Sequence, residues 1–134
     1  MKLELHLLLR PRYNKSINIP QEVIRMDVLE RIDDAVKNNP VIIFMKGTPQ
    51  MPQCGFSSRA AQALMQCGEE FAYVNVLSDP EIFQNLPRYA DWPTFPQVYV
   101  DGELIGGCDI TLEMFQSGEL QEAIKKAVSG TKSA

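Results

Sequence analysis

The amino-acid sequence predicts a single α/β domain in which a mixed four-stranded sheet is flanked by helices. Short apolar, β-branched runs alternate with segments at helical spacing, and the last two runs meet at a tight turn. The 134 residues are 45% hydrophobic and 22% charged, which is the size and balance of one soluble globular domain. A second domain is not expected.

The chain divides by composition near residue 26. Residues 1–25 carry five basic and two acidic side chains, a net charge of +3, whereas residues 26–134 carry a net −7. The first segment has no sustained helical or strand period, so we expect an N-terminal extension without regular structure, with an organellar targeting segment as the alternative. The domain itself is predicted over residues 26–130, followed by a flexible tail over residues 131–134.

Several classes of function are excluded by composition. An acidic body disfavours nucleic-acid binding, which depends on neutralising phosphates with Lys and Arg. Three scattered cysteines do not form the disulfide framework of a small secreted protein and favour a reducing compartment. No apolar stretch approaches the roughly 20 residues needed to cross a bilayer, so no membrane association is expected.

The first helix and strand are clear from periodicity. Apolar residues recur at helical spacing from Val28 to Val36, and Asn38-Asn39-Pro40 ends this helix. The run from Val41 to Met45 is continuously apolar, as in a strand buried on both faces. Gly and Pro predict a loop over residues 47–53, and strong helix formers from Arg59 to Gln66 predict a second helix.

The next pair of elements repeats this alternation. Phe71 to Leu77 predicts a second strand. Asp79-Pro80-Glu81 opens a short third helix, with an acidic cap and Pro in the first turn. Pro87 is expected to end that helix, because proline lacks the N–H that continues it.

The remaining elements complete the order of the fold. Asp101-Gly102 predicts a two-residue hairpin turn between strands over Gln97 to Val100 and Glu103 to Ile105. Thr111 to Met114 and Glu119 to Val128 are helical by composition. The order α-β-α-β-α-β-β-α joins parallel strands through helices and closes with an antiparallel hairpin, and it matches the thioredoxin fold.

Cys54 is the candidate reactive residue. A thiol acts as nucleophile or metal ligand only as thiolate, and Cys54 lies where a Pro-containing loop turns into a helix, whose free amides favour a negative charge. Lys46, at the end of the preceding strand, reaches towards the same loop. The alternative is a cysteine buried as a small hydrophobe, which is commoner but does not account for this position.

Cys54 has no resolving partner in its own turn. The position three residues on is Ser57, where a dithiol motif would place its second cysteine. Cys67 lies about 20 Å further along a continuous helix, beyond the ~7 Å Cα limit for a disulfide, so we expect it in the core. Cys108 follows Gly106-Gly107 and remains a candidate second thiol.

Four runs in this order resemble the monothiol glutaredoxins with a Cys-Gly-Phe-Ser motif, especially the single-domain bacterial and mitochondrial members. The resemblance covers essentially all of residues 26–130. Its four runs are Lys46-Gly47-Thr48-Pro49, Pro52-Gln53-Cys54-Gly55-Phe56-Ser57, Trp92-Pro93-Thr94-Phe95-Pro96-Gln97 and Gly106-Gly107-Cys108-Asp109.

The resemblance implies a glutathione site beside Cys54. In such proteins a residue like Lys46, with a basic residue of the third helix, holds the glycine carboxylate. Thr94 and Phe95 would pair with the glutathione backbone, ahead of a cis peptide at Pro96, and Asp109 would bind the γ-glutamyl amino group. The other residues implied at this site are Phe56 and Cys108. Lys46 as a solvated side chain and Asp109 as a plain helix cap are the alternatives.

The sequence departs from the family in the third helix. Where many members carry Arg, this chain has Phe83, and Pro87 stands where some place a Lys. Arg88 is the nearby cation that remains. Lower glutathione affinity is expected if Arg88 does not turn inward, because a charge-assisted contact to the carboxylate is then lost.

The function that the resemblance implies is cluster carriage. A [2Fe–2S] cluster commonly needs four ligands, and one chain offers only Cys54. Two chains and two glutathione thiols supply four, as in the glutathione-ligated dimers of the family. A homodimer, a BolA-like protein and apo iron–sulfur proteins are therefore the expected partners, in the bacterial cytoplasm or, alternatively, the mitochondrial matrix.

A different class of function uses the same thiol. Cys54 as nucleophile could remove glutathione from mixed disulfides, with a second glutathione resolving the intermediate. The loop over residues 48–52 is longer than in typical dithiol glutaredoxins and would hinder that second glutathione, so such enzyme activity is expected to be weak. A third hypothesis is a regulatory adaptor that acts only through protein contacts.

Overall fold

The computed structural model describes residues 14–16 and 27–130, and its strands form one mixed sheet. The strands are β1 (Asn14–Ser16), β2 (Val41–Met45), β3 (Phe71–Asn75), β4 (Gln97–Val100) and β5 (Glu103–Gly106). Their order in the sheet is β1-β3-β2-β4-β5, with β2 parallel to β3 and antiparallel to β4, and with β4 antiparallel to β5. The last four are the predicted strands, and their mixed sheet is confirmed.

β1 is an edge strand that the sequence did not predict. Asn14–Ser16 pairs in parallel with the start of β3, from Phe71 to Tyr73. Three residues are too few for a period-two pattern, so composition alone placed them in an irregular extension. The rest of the predicted extension and the predicted tail over residues 131–134 lie outside the described residues.

In the described part of the chain, five α-helices flank the sheet and complete the thioredoxin fold. They are α1 (Val28–Lys37), α2 (Gly55–Gln66), α3 (Pro80–Ala90), α4 (Cys108–Ser117) and α5 (Glu119–Ser129). Asp27 caps α1 by accepting from the Leu29 amide at 3.1 Å. The hairpin turn has positive φ at Asp101 and Gly102, as its sequence predicts. Within the described residues, no helix has both the length and the apolar character of a membrane span.

β3 is shorter than predicted because of one side chain. The strand ends at Asn75, and residues Val76–Ser78 form a 3₁₀ turn instead of its last two residues. The Asn75 carboxamide oxygen accepts from the amides of Leu77 and Gly47, at 3.0 and 2.9 Å. A side chain that caps the turn competes with continued strand pairing.

The prediction that Pro87 ends α3 is wrong. The helix continues to Ala90 and closes at Asp91, which adopts the left-handed conformation. Pro87 removes one backbone hydrogen bond, but the turn containing it is anchored on both sides. Leu86 is fully buried, and the Tyr89 hydroxyl donates to Asp33 of α1 at 2.6 Å. Tertiary packing thus overrides a local helix breaker.

β2 lies between two hydrophobic layers. Its five residues are all buried and alternate between the two faces of the sheet. One face packs against α2 and α5, with α4 alongside, and the other packs against α1 and α3. The carboxyl end of β2 therefore opens at the boundary between these layers.

Candidate functional site

A groove of about 780 Å³ lies at the carboxyl end of β2. Its walls come from that strand end, the N-termini of α2 and α4, one face of α3 and the loop before β4. Seven of the eight predicted site residues line it, the exception being Arg88. The lining residues are Lys46, Cys54, Phe56, Phe83, Trp92, Pro93, Thr94, Phe95, Pro96, Gly107, Cys108, Asp109 and Ile110.

Cys54 lies immediately before α2, with extended backbone and a half-buried side chain. The Ser57 amide makes the largest contribution to lowering the pKa of its thiol, followed by the Phe56 amide, the Ser57 hydroxyl and the charge of Lys46. These effects outweigh burial, which acts in the opposite direction. The lowered pKa of the Cys54 thiol agrees with the prediction that the start of the helix favours its thiolate.

Ser57 does more than replace a second cysteine. Its side chain is fully buried, and its hydroxyl oxygen accepts from the Lys46 amide at 3.1 Å. The same hydroxyl interacts with the Cys54 thiol. Ser57 therefore ties the end of β2 to the first turn of α2, a role that the sequence analysis did not identify.

The loop before Cys54 is shaped by a glycine. Gly47 has a φ of +97°, and a Cβ there would stand 2.6 Å from both the Gln53 nitrogen and the Met51 oxygen. No other residue fits both restrictions. The Gly47 amide also donates to Asn75 at 2.9 Å, which fastens the loop to the turn after β3.

Aromatic residues form the wall of the groove nearest α3. The rings of Phe83 and Phe95 lie 5.1 Å apart at 45°, and the Lys46 ammonium is 5.8 Å above the Phe83 ring centroid. The Phe95–Pro96 peptide is cis, as predicted, and Thr94 beside it is exposed. In the sequence, Phe83 stands out only because it replaces a basic residue, whereas in the structure it lines the groove.

Gln97 holds the loop before β4 from inside the sheet. Its buried carboxamide donates to the Trp92 and Thr94 carbonyls at 2.9 and 3.3 Å and accepts from the Tyr99 hydroxyl at 2.8 Å. The sequence analysis named Gln97 only as part of a motif. A buried amide with both ends satisfied fixes the backbone that presents Thr94.

Arg88 lies outside the groove, contrary to its expected place among the glutathione contacts. It is exposed, and its guanidinium donates to Asn85 at 2.7 Å. Arg88 is five residues after Phe83, about 140° further around the helix, so the two side chains leave α3 on different sides. Arg88 does not turn inward, and this is the case in which the sequence predicts lower glutathione affinity.

Cys108 and Asp109 approach the groove from the N-terminus of α4. Burial and the neighbouring Asp109 raise the pKa of the Cys108 thiol, although the Arg59 guanidinium acts in the opposite direction. Arg59 also lies 5.8 Å from the centroid of the Phe56 ring. Asp109 is exposed in the first turn of α4. Cys108 thus shares the groove with Cys54 but favours the neutral thiol.

Cys67 is separated from the groove, as its spacing predicts. It caps the far end of α2 and packs against the core. Burial, with a contribution from Glu69, raises the pKa of its thiol to about 11. At neutral pH this thiol is protonated and is a poor nucleophile.

A thioredoxin fold with one activated thiol at a helix start, and no second cysteine in that turn, defines a monothiol redox protein. The glutaredoxin family model matches residues 41–105. Over 105 residues the chain is 55% identical to glutaredoxin 4 of Escherichia coli K12, covering 78% of this chain and 91% of that protein. Glutaredoxin 4 of Buchnera aphidicola from Schizaphis graminum is 56% identical over 107 residues, covering 80% of this chain and 100% of that protein. The chain belongs to the glutaredoxin family, as a monothiol member.

Solved structures agree with this assignment. A reduced, apo glutaredoxin from poplar has a TM-score of 0.66 and 47% identity, covering 76% of this chain and 94% of that one. A buckwheat glutaredoxin in complex with glutathione has a TM-score of 0.68 and 25% identity, covering 81% and 96% respectively. The resemblance first seen in four short runs is therefore confirmed over most of the domain.

Proposed function

We propose that this monothiol glutaredoxin binds glutathione in the groove and, as a homodimer, carries and transfers a [2Fe–2S] cluster. The observation that carries the proposal is the single activated thiol of Cys54, placed in a groove with a cation on one wall and a carboxylate on the other. Ser57 beside it leaves no thiol in the same turn to form a competing disulfide.

The shape and charge of the groove support glutathione as the ligand. Asp109 is suited to the γ-glutamyl ammonium, and Lys46 to a carboxylate at the opposite wall. Thr94 and Phe95 line the same groove, and their backbone would pair with the peptide part of glutathione. A related glutaredoxin from buckwheat has been solved as a glutathione complex, which supports the same ligand here.

The donor set of one chain supports a shared cluster. Within residues 27–130, no group of three or more His, Cys, Asp or Glu side chains lies together as a metal site. Cys67 and Cys108 have raised thiol pKa values, so Cys54 is the thiolate suited to bind iron. Two Cys54 thiolates and two glutathione thiolates give the four ligands of a [2Fe–2S] cluster.

We also infer that the cluster is exchanged with partner proteins. A cluster ligated partly by glutathione can move to another protein by ligand exchange, without unfolding of the carrier. Apo iron–sulfur proteins would receive the cluster, and a BolA-like protein would replace one subunit of the homodimer.

Anaerobic reconstitution tests the carrier function. The protein is incubated with iron, sulfide and glutathione, and visible absorption and native mass are recorded. We expect a coloured dimer for the wild type and for Cys67→Ser, the matched control, and a colourless monomer for Cys54→Ser. Glutathione should remain with the coloured dimer in stoichiometric amount. A colourless wild-type monomer would refute the carrier function.

The lowered thiol pKa also supports a second candidate, glutathione-dependent disulfide reduction. The Cys54 thiolate attacks the glutathione sulfur of a mixed disulfide, forming a Cys54–glutathione disulfide and releasing the substrate thiolate. A second glutathione thiolate then attacks the bound glutathione sulfur, which yields oxidised glutathione and restores Cys54. Rapid turnover of a glutathionylated peptide by a protein that stays colourless would favour this function.

A further inference from the structure

We propose that the groove accepts glutathione-type thiols with a neutral C-terminus, such as an amide or ester, almost as well as free glutathione, and that Phe83 is the residue responsible. This inference rests on the proposed glutathione site and specifies its ligand class at one end.

The orientation of the ligand follows from charge. Lys46 lies with Phe83 on the α3 side of the groove, whereas Asp109 lies on α4, which packs on the opposite face of the sheet. The ammonium of a γ-glutamyl group fits Asp109, and the amides at the start of α4, which have no side-chain cap, are suited to the carboxylate of the same group. The C-terminal end of the tripeptide is thereby directed to the wall formed by Lys46 and Phe83.

The wall formed by Lys46 and Phe83 can bind a second carboxylate only weakly. Lys46 is the one cation among the described residues that line the groove. Its ammonium already lies over the Phe83 ring and acts on the Cys54 thiol. Arg88 is on another side of α3 and is bonded to Asn85. A carboxylate here would meet one half-buried lysine, which offers a point charge and no forked guanidinium contact.

The same wall suits an uncharged group. Phe83 is partly exposed to the groove, and its ring packs against Phe95 at 5.1 Å. An amide or ester lies against such rings without leaving an unpaired charge beside an apolar surface, a situation that costs free energy. Loss of the carboxylate therefore removes one weak ion pair and adds apolar contact.

Two thiol-blocked probes test the inference through non-covalent binding alone. They are S-methylglutathione and its glycine ethyl ester, titrated into the reduced full chain while the amide signals of the groove residues are followed by NMR. We expect the two dissociation constants of the wild type to agree within about threefold, because a single ion pair to one lysine at the open side of a groove contributes little. Phe83→Arg should tighten binding of S-methylglutathione about tenfold and leave the ester nearly unchanged, since a forked guanidinium contact recognises only the carboxylate.

Gln84→Arg is the matched control. It adds the same charge to an exposed neighbouring position outside the groove, so it should change the affinity for either probe by less than about twofold. A wild-type preference of tenfold or more for the free carboxylate would overturn this inference alone, because both probes would still bind. Failure of both probes to bind would overturn the glutathione site as well.

Discussion

At the scale of single residues, the chemistry depends on how a small number of polar groups converge on one sulfur. The Ser57 amide and hydroxyl, the Phe56 amide and the Lys46 charge all favour the anionic form of Cys54. Cys67, in the same helix, lacks such neighbours, and burial raises the pKa of its thiol. One helix thus holds a reactive thiol at its start and an inert one at its end.

Ser57→Ala should raise the pKa of the Cys54 thiol. The variant removes the hydroxyl contribution but keeps the backbone amides, so alkylation by iodoacetamide at neutral pH should slow by about two- to fivefold as the thiolate fraction falls. The pH midpoint of the rate should move upward. Ser58→Ala, one residue further along, is the control and should leave the profile unchanged. An unaltered midpoint in Ser57→Ala would show that the Ser57 hydroxyl does not contribute to the acidity of the thiol.

Arg88→Ala should leave glutathione binding unchanged within about twofold. The guanidinium is exposed and does not line the groove, so salt largely screens its charge from a bound ligand. Lys46→Ala, by contrast, should weaken binding by about threefold, because Lys46 lines the groove and its ion pair with the ligand carboxylate is weak but real. Calorimetric titration of both variants checks the difference. A clear loss of affinity in Arg88→Ala would mean that Arg88 turns inward when glutathione binds.

At the scale of elements, the groove depends on segments whose boundaries are set by side chains elsewhere in the chain. Periodicity predicts β2 and the hairpin well, because burial on both faces and a two-residue turn leave local patterns in the sequence. The ends of β3 and α3 are not local properties. Asn75 ends β3 because its carboxamide also accepts from Gly47, and α3 passes Pro87 because Tyr89 reaches Asp33.

The residues of the candidate site also differ in whether the local sequence is enough to predict their roles. Cys54 is predictable because a loop-to-helix transition is visible in the sequence and is sufficient to activate a thiol. Phe83 and Gln97 could not be assigned, because their roles exist only when α3, β4 and the loop between them are assembled. The misplacement of Arg88 has a similar cause: the sequence shows a nearby cation but not the side of α3 from which it projects.

Gln97→Leu should loosen the loop before β4. The variant removes the donor to the Trp92 and Thr94 carbonyls and leaves the Tyr99 hydroxyl without its acceptor. We expect a loss of about 1–3 kcal/mol in the free energy of unfolding and a several-fold weaker affinity for S-methylglutathione.

Tyr99→Phe separates these two effects. It removes the hydroxyl but leaves both hydrogen bonds from Gln97 to the loop, so stability should fall slightly while affinity stays unchanged. If Tyr99→Phe weakened binding as much as Gln97→Leu, the loop contacts would not be the cause. Urea unfolding and NMR titration provide the two measurements.

At the scale of the whole molecule, a buried cation joins the helices on the α1 and α3 side of the sheet. Arg31 of α1 is 7% exposed and bonds to Asp79, the cap of α3, and to Glu81 in its first turn. Arg31→Met should reduce the free energy of unfolding by about 1–3 kcal/mol, less than for a fully buried pair because Glu81 is exposed.

Lys37→Met is the comparison for this ion pair. Lys37 pairs with Asp33 at 3.3 Å on an open surface, with 60% and 46% of the side chains exposed, so its loss should cost no more than about 0.5 kcal/mol. Equal effects of the two substitutions in urea unfolding would contradict a structural role for Arg31. Because Arg31 is buried, its contribution should also persist in high salt better than that of Lys37.

The two layers around β2 have a consequence for how such a protein can diversify. The reactive thiol, Cys108 and Asp109 are carried by the helices on one face, whereas Phe83 belongs to the layer on the other. Substitutions in the α1–α3 layer can therefore change which small thiol binds while the reactivity of the Cys54 thiolate stays the same. In the proposed site, recognition of the C-terminal end of the ligand and the reactivity of the thiol therefore belong to different layers, which meet where β2 ends, while Asp109 keeps the γ-glutamyl end beside the thiol.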